Sequence, residues 1–462
     1  MSTSTTSTGT VVGAAPPSAT GPRGGVASGQ ARDGAPGVGP APDPEAWCKQ
    51  AAATALRTLT RLRDERGDRY PGSTAINGRY VPRSGADGTA ERDNVGWTAG
   101  FWPGMLWLAD DLTGGDAFRA AAARHVPAFA DRLARRADTD HHDLGFLYTL
   151  SCVAGWVRTG DEVARTTALA AADLLMHRFH GAAGILQAWG DLADPEQRGR
   201  AIVDSLMNTP LLIWASRESG DPRFRLGAER HVHQLADHIV RADGSTFHTF
   251  HWDPVTGAPE RGSTAQGLFD GSVWARGQAW GVYGFALNAR LLDDPALLAP
   301  ARACADYLLA HLPEDLVPFW DLVLPHDSAE PRDSSAAAIA VCGLLELADQ
   351  LEPHPDGGGT SAPAAALAVA PDRTAEATPS AALPPQPAPT AAAARYRDAA
   401  HRILASLARD YASDPDASDG LLDHSVYHRP EWRGVDEPSL WGDYFYLEGL
   451  VRTLDPTWRS HW

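Results

Sequence analysis

Asp204 stands in the run Ile202–Ser216, IVDSLMNTPLLIWAS, where nearly every neighbour is apolar. An ionised carboxylate in such surroundings is costly unless it is paired, hydrogen-bonded or protonated. Two readings stay open. As a structural residue, Asp204 caps a buried helix or forms a satisfied polar pair with Asn208, which shares its helix face four residues on. As a chemical one, it is a carboxyl of raised pKa held for proton transfer. A second carboxylate, Asp143, follows His141-His142 and precedes Gly145, 61 residues earlier. Its plain role is to cap the helix that starts there. Two carboxylates facing one cavity are the usual equipment of glycoside hydrolysis.

Further polar and aromatic residues fall at loops and helix starts: His248, Gln266, Arg276 and Trp280. Each also has a bland role, as a satisfied histidine, a capping glutamine, a salt-bridged arginine or a core tryptophan. Arg276 says most, because it lies between Trp274 and Trp280 in sequence. A planar guanidinium grips a carboxylate bidentately, so a sugar bearing a carboxylate would suit such a site. His141-His142 raises the question of a metal, but no third ligand follows at a convincing spacing, and no metal site is expected.

Elements must gather these residues, and the pattern is overwhelmingly helical. Helices are expected over about 44–66, 98–112, 116–136, 144–159, 161–178, 201–219, 222–241, 272–292, 295–312, 334–351, 394–412 and 436–453. Three joints are alike: Thr113-Gly114-Gly115-Asp116, Thr159-Gly160-Asp161 and Ser219-Gly220-Asp221. In each, Gly supplies a left-handed residue that ends one helix and Asp caps the next. Repetition of this unit implies antiparallel helical hairpins. Twelve helices make six hairpins, which close into a ring or stack as an open solenoid. In a ring, alternate loops gather on one rim and line a central cavity. A short strand pair is expected near Ser245–Trp252.

Residues 1–43 are Ser, Thr, Gly, Pro and Ala with few large apolar side chains, too few to order the segment, and are read as a disordered tail. Residues 353–393 are Pro/Ala-rich and read as a loop inserted in the 44–462 catalytic domain. A net charge of −18 argues against nucleic acid. Cys48, Cys152, Cys304 and Cys342 form no CxxC pair, which argues against a disulfide framework. No apolar run of spanning length and no secretory leader pattern is seen. The expectation is a cytoplasmic protein with no membrane partner.

Eight blocks then carry a resemblance. They are DNVGWTAGFWPGMLWL, HHDLGFLY, RF…LQAWGD, IVDSLMNTPLLIWAS, DGSTFHTF, TAQG…SVWARGQAWGVYGFAL, PRDSSAAAIAVCGLLEL and WGDYFYLEGL. In this order, over about 44–453, the chain resembles the unsaturated glucuronyl hydrolases of glycoside hydrolase family 88. The resemblance implies an all-α (α/α)6 barrel, in agreement with the six hairpins. It implies removal of a 4,5-unsaturated uronic acid from the non-reducing end of lyase-derived oligosaccharides, by hydration of the C4–C5 double bond. By the same match Asp204 is the general acid/base and Asp143 the second essential carboxylate. His248, Gln266 and Arg276 hold the uronate, Trp97, Trp189 and Trp280 are stacking walls, and His142 lines the site beside Asn208. No cofactor or metal is implied, and a monomer or weak homo-oligomer is expected. With Lys49 the only lysine, any sulfate on a second sugar falls to Arg or to hydroxyl and amide donors of rim loops such as Tyr427–Trp441. A sister activity, unsaturated rhamnogalacturonyl hydrolysis, is the alternative on the same barrel. A catalytically silent glycan-binding barrel is another, and the presence of both aspartates weighs against it.

Overall fold

The computed structural model describes residues 44–81, 94–194, 197–352 and 389–462. The expected tail, and residues 353–388 of the expected insertion, lie outside the described residues. The chain alternates between an outer and an inner layer of helices. The outer helices are α1 (Pro44–Arg66), α3 (Asp116–Ala123) with α4 (Val126–Ala134), α7 (Glu162–Met176), α9 (Pro222–His238), α11 (Leu298–Ala310) and α13 (Pro389–Ser406). Each is followed by an inner one: α2 (Phe101–Thr113), α5 (Leu144–Tyr148) running on through a π-helical turn into α6 (Ala154–Thr159), α8 (Thr209–Ser219), α10 (Ala275–Leu292), α12 (Ser334–Leu351) and α14 (Leu440–Leu454). Each inner helix packs on the next, and α14 closes on α2. The result is an (α/α)6 barrel.

Burial follows from the layering. An outer helix buries one stripe, as α9 does with Phe224, Ala228, Val232 and Leu235, and shows water its other face. An inner helix meets neighbours all round, so α12 is buried from Ser334 to Ala348. This corrects one expectation. α12 is long and apolar enough to cross a membrane by length and composition, but most of it is inside the barrel.

The joints at the C-terminal ends of α2, α6, α8 and α10 are short. Gly114, Gly160 and Gly220 have φ of 63°, 69° and 76°, where a side chain would be strained. Asp161 and Asp221 then cap α7 and α9. Asp116 departs from the pattern, being the first residue of α3 after a Gly115 cap. A fourth joint makes the same turn with Asp293 at φ 55° and Asp294 as cap.

The opposite rim carries the long loops and three antiparallel sheets. These are β1 (Phe179–His180) with β2 (Ile185–Leu186), β3 (Arg200–Ile202) with β4 (Thr249–Trp252) and β5 (Pro259–Ser263), and β6 (Ser425–His428) with β7 (Arg433–Glu437). The run around Asp204 is therefore not helical throughout. Ile202 pairs with Thr249, and the Val203 amide donates to the His248 carbonyl at 3.0 Å. These bonds draw the chain into a sheet, a 3-10 turn spans Val203–Met207, and α8 begins only at Thr209, with Pro210 in its first turn. Other boundaries move as well. α13 starts at Pro389 rather than 394, and the helix expected over 116–136 breaks before α4, where Pro127 sits in the first turn.

Candidate active site

The N-terminal ends of the inner helices converge on a cavity of ≈ 160 Å³ at the long-loop rim. Before α2 comes Trp97. Asp143 precedes α5, Asp204 the α8 turn, and Arg276 sits in the first turn of α10. Trp97, His142, Asp143, Trp189, Asp204, Gln266 and Arg276 all line this cavity. Ala188, Ile202, Trp274 and Tyr427 complete the wall. A larger hollow of ≈ 410 Å³ at the other rim is lined by no aspartate or glutamate.

Backbone bonds hold the two aspartates together. The His142 amide donates to the Ala188 carbonyl and the Ala188 amide to that of Arg200, each at 3.0 Å. Arg178 gathers this loop by donating to Asp140, to the Gln187 carbonyl at 2.9 Å and to the Gly190 carbonyl at 3.0 Å. α5 and α8 meet closely: a Cβ on Gly145 would lie 2.2 Å from the Asn208 Cα, so only glycine fits in HHDLGF. The Asn208 Oδ1 accepts from the Phe146 amide at 2.9 Å.

His142 Nε2 lies 3.2 Å from an Asp143 oxygen and 3.9 Å from Asp204 Oδ1. His141 Nδ1 is 3.2 Å from the other Asp143 oxygen. The two carboxyls consequently differ. Burial pushes Asp143 up, but the His142 charge and hydrogen bonds from both histidines outweigh it and hold this carboxyl far below the usual range. Burial raises Asp204 as well; His142 opposes it, Asp143 reinforces it, and the pKa stands at about 7. Asp204 Oδ1 has no hydrogen-bond partner among the described residues. Burial lowers His142, yet the charge and hydrogen bond of Asp143 prevail and raise its pKa. One carboxylate and one carboxylic acid face a shared hollow, the arrangement that proton donation near neutral pH needs.

Asp204 is fixed from behind. Ser205 Oγ donates to the Ile202 carbonyl at 2.6 Å and lies 2.8 Å from His231 Nε2, whose Nδ1 accepts from the Leu186 amide at 3.0 Å. Since Nδ1 accepts, Nε2 carries the proton and donates to Ser205.

Three expected ligands sit elsewhere. Trp280 is no stacking wall: it is 1% exposed and packs on Phe146 and Phe445 in the core, because the second turn of α10 already faces the barrel axis. Asn208 is fully buried outside the lining, and its Oδ1 is spent on Phe146, so it joins helices. His248 lies behind Trp274, ring centroids 4.7 Å apart, with Nδ1 accepting from the Ala265 amide at 2.8 Å. Burial drives its pKa down to about 3, which keeps it neutral. Arg276 reaches the cavity, but its fork is occupied by Asp333, Gln266 and the Val426 and Tyr427 carbonyls. Trp274 entered the sequence argument only as a flank of Arg276, and Tyr427 only as the edge of a rim loop. Tyr427 sits on β6, where its OH accepts from Trp97 Nε1 at 3.1 Å. No local pattern in HSVYHRPEW marks it.

His142, Asp143 and Asp204 also place one possible ligand atom each within 4.8 Å of one another. A third potential metal ligand thus exists in space where sequence spacing offered none, and the barrel supplies it.

The family model for Glycosyl Hydrolase Family 88 matches residues 75–348. The unsaturated glucuronyl hydrolase of Bacillus sp. (strain GL1) is 42% identical over 405 residues, 87% of this chain and 96% of that protein. The unsaturated chondroitin disaccharide hydrolase of Streptococcus pyogenes serotype M1 is 42% identical over 80% of this chain and 84% of its own length. A mutant unsaturated glucuronyl hydrolase of Streptococcus agalactiae, solved in complex with dGlcA-GalNAc6S, superposes with a TM-score of 0.71 at 35% identity, covering 90% of this chain and 93% of that one. The chain belongs to glycosyl hydrolase family 88.

Proposed function

We propose that the protein is an unsaturated glucuronyl hydrolase, and that it removes a 4,5-unsaturated uronic acid from the non-reducing end of glycosaminoglycan-derived oligosaccharides. The observation that carries the reading is the pair of unequal carboxyls, Asp143 held ionised and Asp204 at about 7, on one cavity. Family membership and the relatives' activities support it.

Asp204, protonated, gives its proton to C4 of the vinyl ether, and positive charge develops at C5 and the ring oxygen. The ionised Asp143 lies close by to stabilise that charge and to accept sugar hydroxyls. Asp204, now a carboxylate, takes a proton from the water that adds at C5. The resulting hemiketal opens by cleavage of the bond from C5 to the ring oxygen. The hemiacetal left at C1 then releases the shortened sugar and a 4-deoxy-5-keto-uronate. Trp97 and Trp189 offer aromatic faces to the sugar ring, and Tyr427 and Trp274 extend that wall.

Four buried free cysteines suit a reducing compartment and support a cytoplasmic site of action. The test is a panel of lyase-derived unsaturated disaccharides, followed by loss of the ultraviolet absorbance of the conjugated uronate. Turnover of a glycosaminoglycan disaccharide is expected. Loss of signal only with rhamnogalacturonan products would shift the assignment to the sister activity. No loss with any of them would leave a glycan-binding barrel.

A further inference from the structure

Arg276 is 1% exposed and its two terminal nitrogens are fully committed. Nη1 donates to Asp333 Oδ2 at 3.4 Å and to the Val426 carbonyl. Nη2 donates to Gln266 Oε1 at 2.7 Å and to the Tyr427 carbonyl at 2.8 Å. The indole rings of Trp274 and Trp441 flank the guanidinium at 4.4 and 5.0 Å. A guanidinium donates five N–H bonds and accepts none, so four are used here and only the buried Nε is left over. The bidentate grip on a substrate carboxylate expected from sequence is therefore not on offer.

The fork does something else. Whatever atom of Gln266 faces Arg276 must be an acceptor, so it is Oε1, and the Nε2 amide group is turned the other way. Gln266 lines the cavity, and its Nε2 has no hydrogen bond among the described residues. The backbone around it is pinned. The Ala265 amide donates to His248 Nδ1 at 2.8 Å, that of Gly267 to Thr264 Oγ1 at 2.8 Å, and that of Leu268 to Asp321 Oδ2 at 2.9 Å. Asp333 in turn anchors Arg276 from the start of α12. Its Oδ1 accepts from Ser335 Oγ and from the Ala336 and Val426 amides, the latter two at 3.3 Å, and its Oδ2 faces the guanidinium. It is fully buried, as an acid beside a buried arginine must be to offset that charge.

We infer that Asp333 and Arg276 are positioning residues that fix the polarity of the Gln266 amide, so that a sugar entering beside Asp143 and Asp204 meets an N–H donor and never a carbonyl oxygen. The feature matters for a uronate. Two acidic groups already face the hollow, and a third acceptor there would repel the substrate carboxylate. This inference rests on the hydrolase reading above and names the groups that would select its acidic sugar.

A double-mutant cycle tests it, with KM and kcat measured on the best unsaturated disaccharide. Gln266→Glu keeps the acceptor for Arg276 but replaces the donor with a carboxylate oxygen. It should raise KM roughly tenfold or more with a much smaller change in kcat, the scale of one hydrogen bond to a charged group. Gln266→Leu and Asp333→Asn should each raise KM by roughly five- to tenfold. Combined, Asp333→Asn should add less than about twofold to Gln266→Leu, because the group it orients is gone. Should Asp333→Asn not fold, Arg276→Lys takes its place in the cycle, a point charge that cannot hold four acceptors at once. Effects that multiply independently, or an unchanged KM in Gln266→Glu, would overturn the relay. A wild-type protein inert on every unsaturated disaccharide would instead overturn the hydrolase reading.

Discussion

Asp204 lies in the 3-10 turn that leads into one inner helix, α8, and Asp443 in the first turn of another, α14. Both are buried, and burial raises both to about 7. Their hydrogen bonding separates them. Asp443 accepts from Tyr80 OH at 2.7 Å and from the Leu421 and Leu422 amides at 2.9 and 3.0 Å. It fastens the loop after α1 to the loop before β6. Asp204 keeps an oxygen without a partner among the described residues, and it faces a cavity beside an ionised Asp143. A raised pKa is thus no mark of catalysis by itself. What distinguishes the two is whether the surrounding backbone has used up the carboxyl's oxygens.

The largest effect should come from breaking one side of this pair. Asp204→Asn should lower kcat by roughly 10²–10⁴, the usual contribution of a positioned acid, with circular dichroism and substrate binding preserved. A variant with near wild-type kcat would return Asp204 to the structural class. Asp443→Ala should do the reverse. Leaving three donors unpaired costs on the order of 3 kcal/mol of stability, read as a lower Tm, while kcat stays within about threefold. Equal losses of turnover in the two variants would erase the distinction drawn here.

Changes of pH sharpen the comparison with smaller effects. As the acid, Asp204 must be protonated, so kcat should decline as pH rises through about 7, while Asp143 stays ionised well into the acid range. Stability has a matching sign. The folded pKa of Asp204 exceeds the unfolded value of about 3.9, so the folded chain holds an extra proton between those pH values. That contribution is fully present below about pH 4 and lost as pH rises through 7. Asp204→Asn should therefore raise Tm more at pH 8 than at pH 4, as seen by calorimetry, and a constant difference would argue against a buried, ionised Asp204. The smallest expected effect is that of a chelator. The His142, Asp143 and Asp204 atoms are close enough to hold an ion, but proton transfer needs none, so EDTA should leave kcat unchanged. Loss of activity restored by a divalent cation would give the cluster a different role.

Much of the architecture was legible because it rests on local physics. Helices α1 and α12 fall where the periodicity places them, and the Gly-Asp joints turn as their residue types require. Boundaries failed where distant chain intervened. The Asp204 run reads as helix, yet Thr249 and His248, more than forty residues on, pull its first residues into a sheet. The site residues divide the same way. Trp97, His142, Trp189 and Gln266 reach the cavity. Trp280 does not, because position within a motif says nothing of which way a helix face turns.

By itself the sequence determined the six helical hairpins, three of their joints, the pair of aspartates and the family, since residue type, periodicity and collinear motifs are properties of the chain alone. Only the tertiary structure decided the inequality of Asp143 and Asp204, the commitment of Arg276 to Asp333, Gln266 and two carbonyls, and the placement of Trp280 in the core. Desolvation, charge proximity and hydrogen-bond occupancy depend on atoms brought together from far apart, and they do not exist until the ring closes.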